Sequence, residues 1–108
     1  MSQLEFKFID FVILEKLQIH QVAFLKEVLH VYANSLLIPA SLENIMKYSI
    51  AKQLWYELNH RTEKENPPKK SRLKLRSHQA IILLDALNFN GDESRIFNYK
   101  NAIIKQLI

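Results

Sequence analysis

Cysteine is absent from this chain of 108 residues, and its absence excludes several kinds of chemistry at once. Without thiols there is no disulfide, no cysteine nucleophile, no iron–sulfur cluster and no cysteine-ligated zinc site. Small secreted domains usually depend on such cross-links, so we expect a reducing compartment, the cytoplasm. The opening residues also lack the pattern of a signal peptide, because Glu5, Lys7 and Asp10 interrupt the first apolar stretch.

Glycine and long apolar runs are also scarce. Gly91 is the single glycine, whereas loops that cradle phosphate groups need several glycines to let the backbone approach the ligand. The longest uninterrupted apolar run covers residues 80–84, far below the roughly 18 residues that a membrane span requires. We therefore predict no nucleotide or other cofactor and no contact with a membrane.

The overall composition is typical of a small globular domain. Hydrophobic residues make up 48% of the chain and charged residues 24%, which differs from the polar composition of disordered segments. This length suits one hydrophobic core, so residues 1–108 are predicted to form a single helical domain. Abundant Lys, Ile, Asn and Phe beside few Arg and Gly indicate an AT-rich genome, such as that of a bacterium or a phage.

The first part of the chain combines two patterns of apolar spacing. Leu4, Phe6 and Phe8 alternate with charged residues, which predicts a short half-buried strand. Asp10 then offers a side chain that can cap a helix, and apolar residues recur on one face over residues 10–34. We therefore predict a strand followed by a long amphipathic helix.

Three further helices are predicted from capping residues and apolar periodicity. They cover residues 41–61, residues 78–89 and a last segment that begins at Asp92. A polar segment at residues 62–71 contains two consecutive prolines, which predicts an extended loop.

A second strand is predicted just before the third helix. Leu73 and Leu75 alternate with basic residues, and Ser77 can cap the helix that follows. The two strands should pair, because a lone strand leaves its backbone groups unsatisfied. Placing Ser77 over Asp10 aligns two strand–cap–helix segments, either as a weak repeat or by coincidence. The predicted fold is mostly α, with about four helices and a small two-stranded β-ribbon, and the alternative is an all-α helical bundle.

The second predicted helix carries apolar residues around most of its circumference. Such a helix must be covered on most sides. Either it runs through the middle of the fold, or a second copy of the chain covers part of it. The candidate dimer surface consists of Leu54, Trp55 and Leu58.

Catalytic and metal-binding patterns are missing. His20 and His30 are ten residues apart, about 15 Å along a helix, and neither His60 nor His78 has a ligand at metal-binding spacing. No serine stands in the context of a nucleophile. Asp85 interrupts an apolar stretch, and we interpret it as an acid on the exposed edge of a helix rather than a proton-transfer group. We therefore predict no catalytic residue, no metal site and no enzymatic activity.

Positive charge is concentrated in one segment. The net charge of the whole chain is +4, and residues 62–76 account for it with six basic and two acidic residues. If this segment is extended, its basic side chains share one face and its leucines share the other. The candidate basic binding stripe consists of Lys69, Lys70, Arg72, Lys74 and Arg76.

This stripe has three interpretations. It could follow a phosphate backbone, meet an acidic protein surface, or protect an exposed strand from aggregation. No aromatic residue lies among the charges in the sequence, which argues against a platform for single-stranded nucleic acid. The function expected from the sequence is a small non-enzymatic interaction or regulatory module that binds itself as a homodimer or binds another protein. The alternative is a weak nucleic-acid-binding accessory protein that uses residues 69–76.

Overall fold

A computed structural model describes residues 11–64, 70–90 and 94–107. These residues form four helices and one two-stranded antiparallel sheet, which confirms the predicted mostly helical fold with a small β-ribbon. The elements in chain order are β1 (Phe11–Gln18), α1 (Ile19–Ser35), α2 (Leu42–Thr62), β2 (Lys70–Arg76), α3 (Ser77–Phe89) and α4 (Ser94–Leu107).

The prediction for the first helix is wrong at its start. A helix was expected over residues 10–34, but residues 11–18 form β1 and α1 begins only at Ile19. Leu14 and Leu17 are both buried, and the three-residue step between them is the spacing that suggested a helix. In β1 the same step arises from an irregularity in the strand.

That irregularity is a β-bulge. Leu14 pairs with Leu73 and Leu17 pairs with Ser71, so two residues of β1 lie opposite the single residue Arg72. The two bulge residues, Glu15 and Lys16, are both exposed, and Lys16 has a positive φ of 56°. The bulge therefore lets Leu14 and Leu17 point to the same side of the sheet although they are three residues apart.

The other helices lie close to their predicted positions. The side chain of Ser41 accepts a hydrogen bond from the backbone N–H of Asn44 at 3.1 Å and caps α2. The ends of the loop expected at residues 62–71 belong to regular elements, because Thr62 is the last residue of α2 and Lys70 is the first residue of β2. The strand expected at residues 4–8 lies outside the described residues.

The two strands form a ribbon with one buried and one exposed face. Antiparallel pairing places β1 residues 11–14 opposite β2 residues 73–76, and the buried residues of both strands point to the same side. The helices cover that side, and the core is formed by residues of the strands and all four helices. The fully buried large side chains are Val12, Val22, Leu25, Leu29, Leu54, Leu58, Leu73, Leu75, Leu83, Leu87, Ile96 and Ile103.

Each strand continues into a helix without a loop, and both junctions have the same construction. At the start of α1, the side chain of Gln21 accepts a hydrogen bond from the backbone N–H of Gln18 at 2.7 Å. At the start of α3, Gln79 accepts one from the backbone N–H of Arg76 at 2.9 Å. In both helices a glutamine on the first turn therefore reaches back to the residue before the helix.

These junctions belong to an internal repeat of strand, helix, helix. Residues 16–29 align with residues 74–87, and six of the fourteen aligned residues are identical. The alignment predicted from the sequence, with Ser77 over Asp10, is wrong by nine residues, since Ser77 corresponds to Ile19. The identical pairs are Lys16 and Lys74, Leu17 and Leu75, His20 and His78, Gln21 and Gln79, Leu25 and Leu83, and Leu29 and Leu87.

The second helix of each half contacts the strand of the other half. The side-chain amide of Gln106, in α4, accepts from the N–H of Ile13 and donates to its carbonyl oxygen, both at 2.7 Å. Arg61, in α2, donates to the carbonyl oxygen of Arg72 at 2.9 Å. These bonds satisfy backbone groups along the outer edges of the ribbon, which would otherwise be open to further strand pairing.

A polar network joins α1, α2 and α3. The hydroxyl of the buried Tyr32 donates to the carboxylate of Asp85, and Lys47 lies 3.9 Å from the same oxygen. Burial, together with the hydrogen bond to Asp85, raises the pKa of Tyr32 well above its usual value. A hydrogen bond with Glu43 raises the pKa of Lys47. Asp85 therefore has defined partners, and the interpretation of it as only an exposed acid is too simple.

Candidate nucleic-acid interface

The exposed face of the ribbon, which we call the outer face, carries most of the predicted basic stripe. The alternation of β2 exposes its basic residues on this face and buries its two leucines on the other. Lys69 lies outside the described residues. The residues of β2 on the outer face are Lys70, Arg72, Lys74 and Arg76.

β1 places an aromatic ring among these charges. Phe11 lies opposite Arg76 in the ladder, the ammonium of Lys74 sits 3.9 Å from the centre of its ring, and the guanidinium of Arg76 sits 5.9 Å away. Both distances are typical of cation–π contacts. No aromatic residue lies among these charges in the sequence, but the fold places one beside them, because the ring comes from the other strand.

The bulge of β1 places a carboxylate beside the middle of the stripe. Oε1 of Glu15 lies 3.5 Å from Nε of Arg72, and both side chains are more than half exposed. An ion pair so open to water contributes little to stability. Its geometry matters more, because the contact uses Nε and leaves the two terminal amino groups of Arg72 available to a ligand.

The charge balance of the outer face is strongly positive. Among its described residues, five cations accompany a single acid, Glu15, which leaves a formal charge of +4. Four of these cations belong to β2, and the fifth is Lys16 in the bulge of β1. Alternate residues of a strand are about 6.6 Å apart. This spacing is close to the rise of two base pairs in a DNA duplex, about 6.8 Å. The remaining exposed residues of the face are Phe11, Gln18 and the half-buried Ile13.

Basic residues at the end of α2 extend the positive surface beyond the ribbon. His60, Arg61 and Lys64 line an open cavity of about 470 Å³ that reaches Ser71 at the start of β2. Glu57 lies in the same cavity and pairs with Arg61 at 3.5 Å. The sequence pattern included Lys64 in the basic segment but did not connect His60 and Arg61 with the stripe, because that contact depends on where α2 ends relative to β2.

The candidate dimer surface on α2 is largely buried within the fold. Leu54 and Leu58 are 0% exposed within a single chain, and Trp55 is half-buried against the core. Their apolar character is explained by packing inside the fold, which was the other possibility considered for this helix. Leu54 and Leu58 therefore offer no surface to a second copy, and Trp55 offers only the part of its ring that the core leaves uncovered.

Exposed apolar side chains instead gather where α1 passes into α2. Ile38 is 87% exposed and Leu42 is 88% exposed, and their neighbours on the first turns of α2 are also largely exposed. We call this surface the α1–α2 corner. It lies at the end of α1 remote from the ribbon, about 25 Å away along a helix of this length. Its residues are Leu37, Ile38, Leu42, Ile45 and Met46.

The histidines are dispersed over the structure. His20 and His78 are exposed at the starts of α1 and α3, and His60 is exposed near the end of α2. His30 is bonded to Asn34 at 3.3 Å. Across residues 11–64, 70–90 and 94–107, no three histidine or carboxylate side chains come close enough to hold a metal ion.

Comparisons with protein-family models, curated proteins and solved structures found no match to this chain. In the part of the chain that the structure describes, no helix combines the length and apolar character needed to cross a bilayer. Any function must therefore be argued from the geometry and charge of the residues themselves.

Proposed function

We propose that this chain is a small non-enzymatic binding module whose ribbon binds duplex DNA. The observation that carries the proposal is the outer face, a two-stranded β-ribbon that presents five cations and one acid. Phosphate contacts from lysine and arginine supply most of the non-specific affinity of proteins for DNA. The absence of cysteine from the chain supports a cytoplasmic setting, and the amino-acid composition supports a bacterial or phage origin.

The shape of the ribbon favours the major groove. The major groove of B-form DNA is about 12 Å wide and admits a two-stranded β-ribbon. The helices pack on the buried face, so the outer face can enter the groove without unfolding any element. Side chains at the middle of the ribbon would then meet base edges, and those at its ends would meet phosphates.

A single-stranded ligand is less well supported. Single-strand sites usually stack successive bases on several aromatic rings. The described part of the outer face offers the ring of Phe11, and the ammonium of Lys74 already sits over that ring. A base could stack there only after displacing a cation, which favours the duplex.

Fluorescence anisotropy with a short labelled duplex tests the proposal. Affinity should fall with salt, with a slope of log K on log salt of about −3 to −4 for four contacts. The variant Lys70→Gln/Lys74→Gln should reduce this slope by about two. The matched control is Lys100→Gln/Lys105→Gln, which removes the same charge from α4 and should leave the slope nearly unchanged.

Other ligands separate groove binding from simple charge attraction. Double-stranded RNA has a deep and narrow major groove, so it should bind more weakly than DNA at the same salt concentration. Equal binding to DNA, RNA and polyglutamate would show that the surface only attracts negative charge. No duplex binding at low salt would refute the proposal.

Self-association is a second candidate, supported by the α1–α2 corner. A cluster of exposed apolar side chains is typical of a protein interface. Because the corner lies remote from the ribbon, a second copy could bind there while the outer face remains open. A homodimer formed in this way would carry two ribbons.

Light scattering during size exclusion tests this association. At tens of micromolar the chain should run with twice its monomer mass, and Ile45→Lys should return it to the monomer mass. The control is Phe97→Lys on α4, since Phe97 is 60% exposed and Ile45 is 56% exposed. A monomeric wild-type chain would refute the homodimer without affecting the proposal for the ribbon.

A further inference from the structure

The two strands of the ribbon are related by the internal repeat, but their outer faces differ. An antiparallel pair of equivalent strands has an approximate two-fold axis through its middle, here near the Leu14–Leu73 pair. A two-fold symmetric DNA-binding surface reads a palindromic site. Because the bulge adds one residue to β1, the residues before it correspond as Leu14 to Leu73 and Ile13 to Arg72. An arginine therefore faces one side of the site, and an aliphatic side chain faces the other.

The same asymmetry holds at the ends of the ribbon. Lys70 of β2 corresponds to Phe11 of β1, and Arg76 corresponds to Gln18. Outside the bulge, the strand of the second half therefore supplies positive charge and the strand of the first half supplies apolar and neutral groups, whereas the bulge residues Glu15 and Lys16 of β1 add one charge of each sign. A duplex in contact with this face meets different chemistry on either side of the axis.

Arg72 has the geometry of a base-reading residue. It lies next to the axis and opposite the bulge, and Glu15 contacts its Nε at 3.5 Å. The most common specific contact in the major groove is an arginine whose terminal amino groups bind O6 and N7 of guanine. The carboxylate of Glu15 lies beside Nε, where it favours one orientation of the guanidinium and leaves both terminal amino groups available.

We propose that the ribbon recognises a non-palindromic DNA site in which Arg72, oriented by the positioning residue Glu15, binds guanine. This inference rests on the proposed binding of duplex DNA and adds its specificity. Ile13 and Phe11 lie on the other side of the axis, where apolar side chains can contact the methyl group of thymine.

Selection from a random duplex library with the full chain, followed by anisotropy on the selected duplex, tests the inference. The selected sequence should contain a required guanine and should lack palindromic symmetry within the stretch covered by one ribbon. Replacing that guanine by 7-deazaguanine, which lacks N7, should weaken wild-type binding several-fold. This measurement needs no variant, so it does not depend on the folding of a mutant.

Variants separate recognition from charge. Arg72→Lys keeps the charge but loses the two terminal amino groups that bind guanine together. Discrimination between the selected duplex and one with that guanine replaced should therefore fall about tenfold or more. Glu15→Gln should bind unrelated duplexes more tightly, because a negative charge is removed, and yet discriminate less. The control Glu27→Gln makes the same charge change on α1 and should leave discrimination unchanged.

Two results would overturn the inference while leaving the binding of DNA intact. One is a selected site that is palindromic within the span of one ribbon. The other is an Arg72→Lys or Glu15→Gln variant that discriminates as well as wild type. If wild type binds no duplex even at low salt, the proposed function fails together with this inference.

Discussion

The two halves of the molecule share a framework and differ in the strand that each contributes. The half formed by β1, α1 and α2 and the half formed by β2, α3 and α4 begin with the same strand-to-helix junction, stabilised by a glutamine. Four aligned pairs are buried in both α1 and α3, namely Val22 and Ala80, Leu25 and Leu83, Val28 and Ala86, and Leu29 and Leu87. β1 contains a bulge and carries Glu15, whereas β2 is regular and basic. The comparison indicates that the first helices of the two halves pack alike, whereas the two strands differ on their solvent side.

The contact between α1 and α3 shows the same combination of likeness and difference. Tyr32 and Asn90 occupy equivalent positions at the ends of these helices. Tyr32 reaches across to Asp85 in α3, and the side-chain amide of Asn90 donates to the carbonyl oxygen of Val28 in α1 at 3.4 Å. Each helix therefore bonds to the other near its end, through different chemistry.

The largest predicted effect tests whether the two halves are equally important to the core. Leu25 and Leu83 are equivalent and fully buried. Leu25→Ala and Leu83→Ala should each lower the free energy of unfolding by about 2–5 kcal/mol, measured by urea denaturation, because each leaves a cavity. Ile81→Ala, at a largely exposed position, is the control and should cost less than about 1 kcal/mol. A small loss for only one leucine would show that the halves are not equivalent in packing.

A smaller effect is expected at Tyr32, where the halves differ. Tyr32→Phe removes a hydrogen bond to a charged partner and should cost about 1–2 kcal/mol at neutral pH. Because the pKa of Tyr32 is raised by burial, its neutral form is favoured in the fold. Its contribution is therefore complete below the usual tyrosine pKa of about 10 and declines as the pH rises above it.

The pH dependence provides the measurement. Above pH 10 the wild type should lose free energy of unfolding more steeply than Tyr32→Phe, since the variant has no phenol to ionise at this position. Tyr56→Phe alters an exposed phenol and should keep the wild-type dependence. Identical slopes for wild type and Tyr32→Phe would contradict the assignment of this tyrosine to the α1–α3 contact.

The helix starts should respond alike, because their hydrogen bonds are alike. Gln21→Ala and Gln79→Ala each leave one backbone N–H without its side-chain partner and should lower the free energy of unfolding by about 0.5–1 kcal/mol. Gln53→Ala changes an exposed residue inside α2 and should have almost no effect. If only one of the first two variants is destabilised, the two junctions are not equivalent.

Much of the fold could be predicted from the sequence, because helix periodicity and capping are local properties. The limits of α2 and α3 and the identity of β2 follow from local patterns. The strand expected to pair with β2 was placed at residues 4–8, whereas β2 pairs with β1 at residues 11–18. The start of α1 could not be predicted in this way. A bulge adds one residue to β1, so Leu14 and Leu17 have the spacing of a helix while belonging to a strand.

For the same reason, the sequence predicted only the part of the candidate site that lies on β2. The basic residues of β2 follow a regular alternation, so their common face could be read from the sequence. Phe11 and Glu15 were assigned to a helix and could not be placed beside them. One signal was available, the shared Lys-Leu followed by His-Gln at residues 16–21 and 74–79, which aligns β1 with β2.

The smallest predicted effect concerns this bulge, where identical residues have different backbones. Lys16 has a φ of 56°, whereas its equivalent Lys74 lies in the regular part of β2. A positive φ costs a non-glycine residue about 1–2 kcal/mol, and glycine loses roughly 0.5–1 kcal/mol more conformational entropy on folding. Lys16→Gly should therefore stabilise the fold by about 0.5 kcal/mol, and Lys74→Gly should destabilise it by about 1 kcal/mol. Both are measured by urea denaturation, and an equal loss in the two variants would show that the bulge imposes no strain on Lys16.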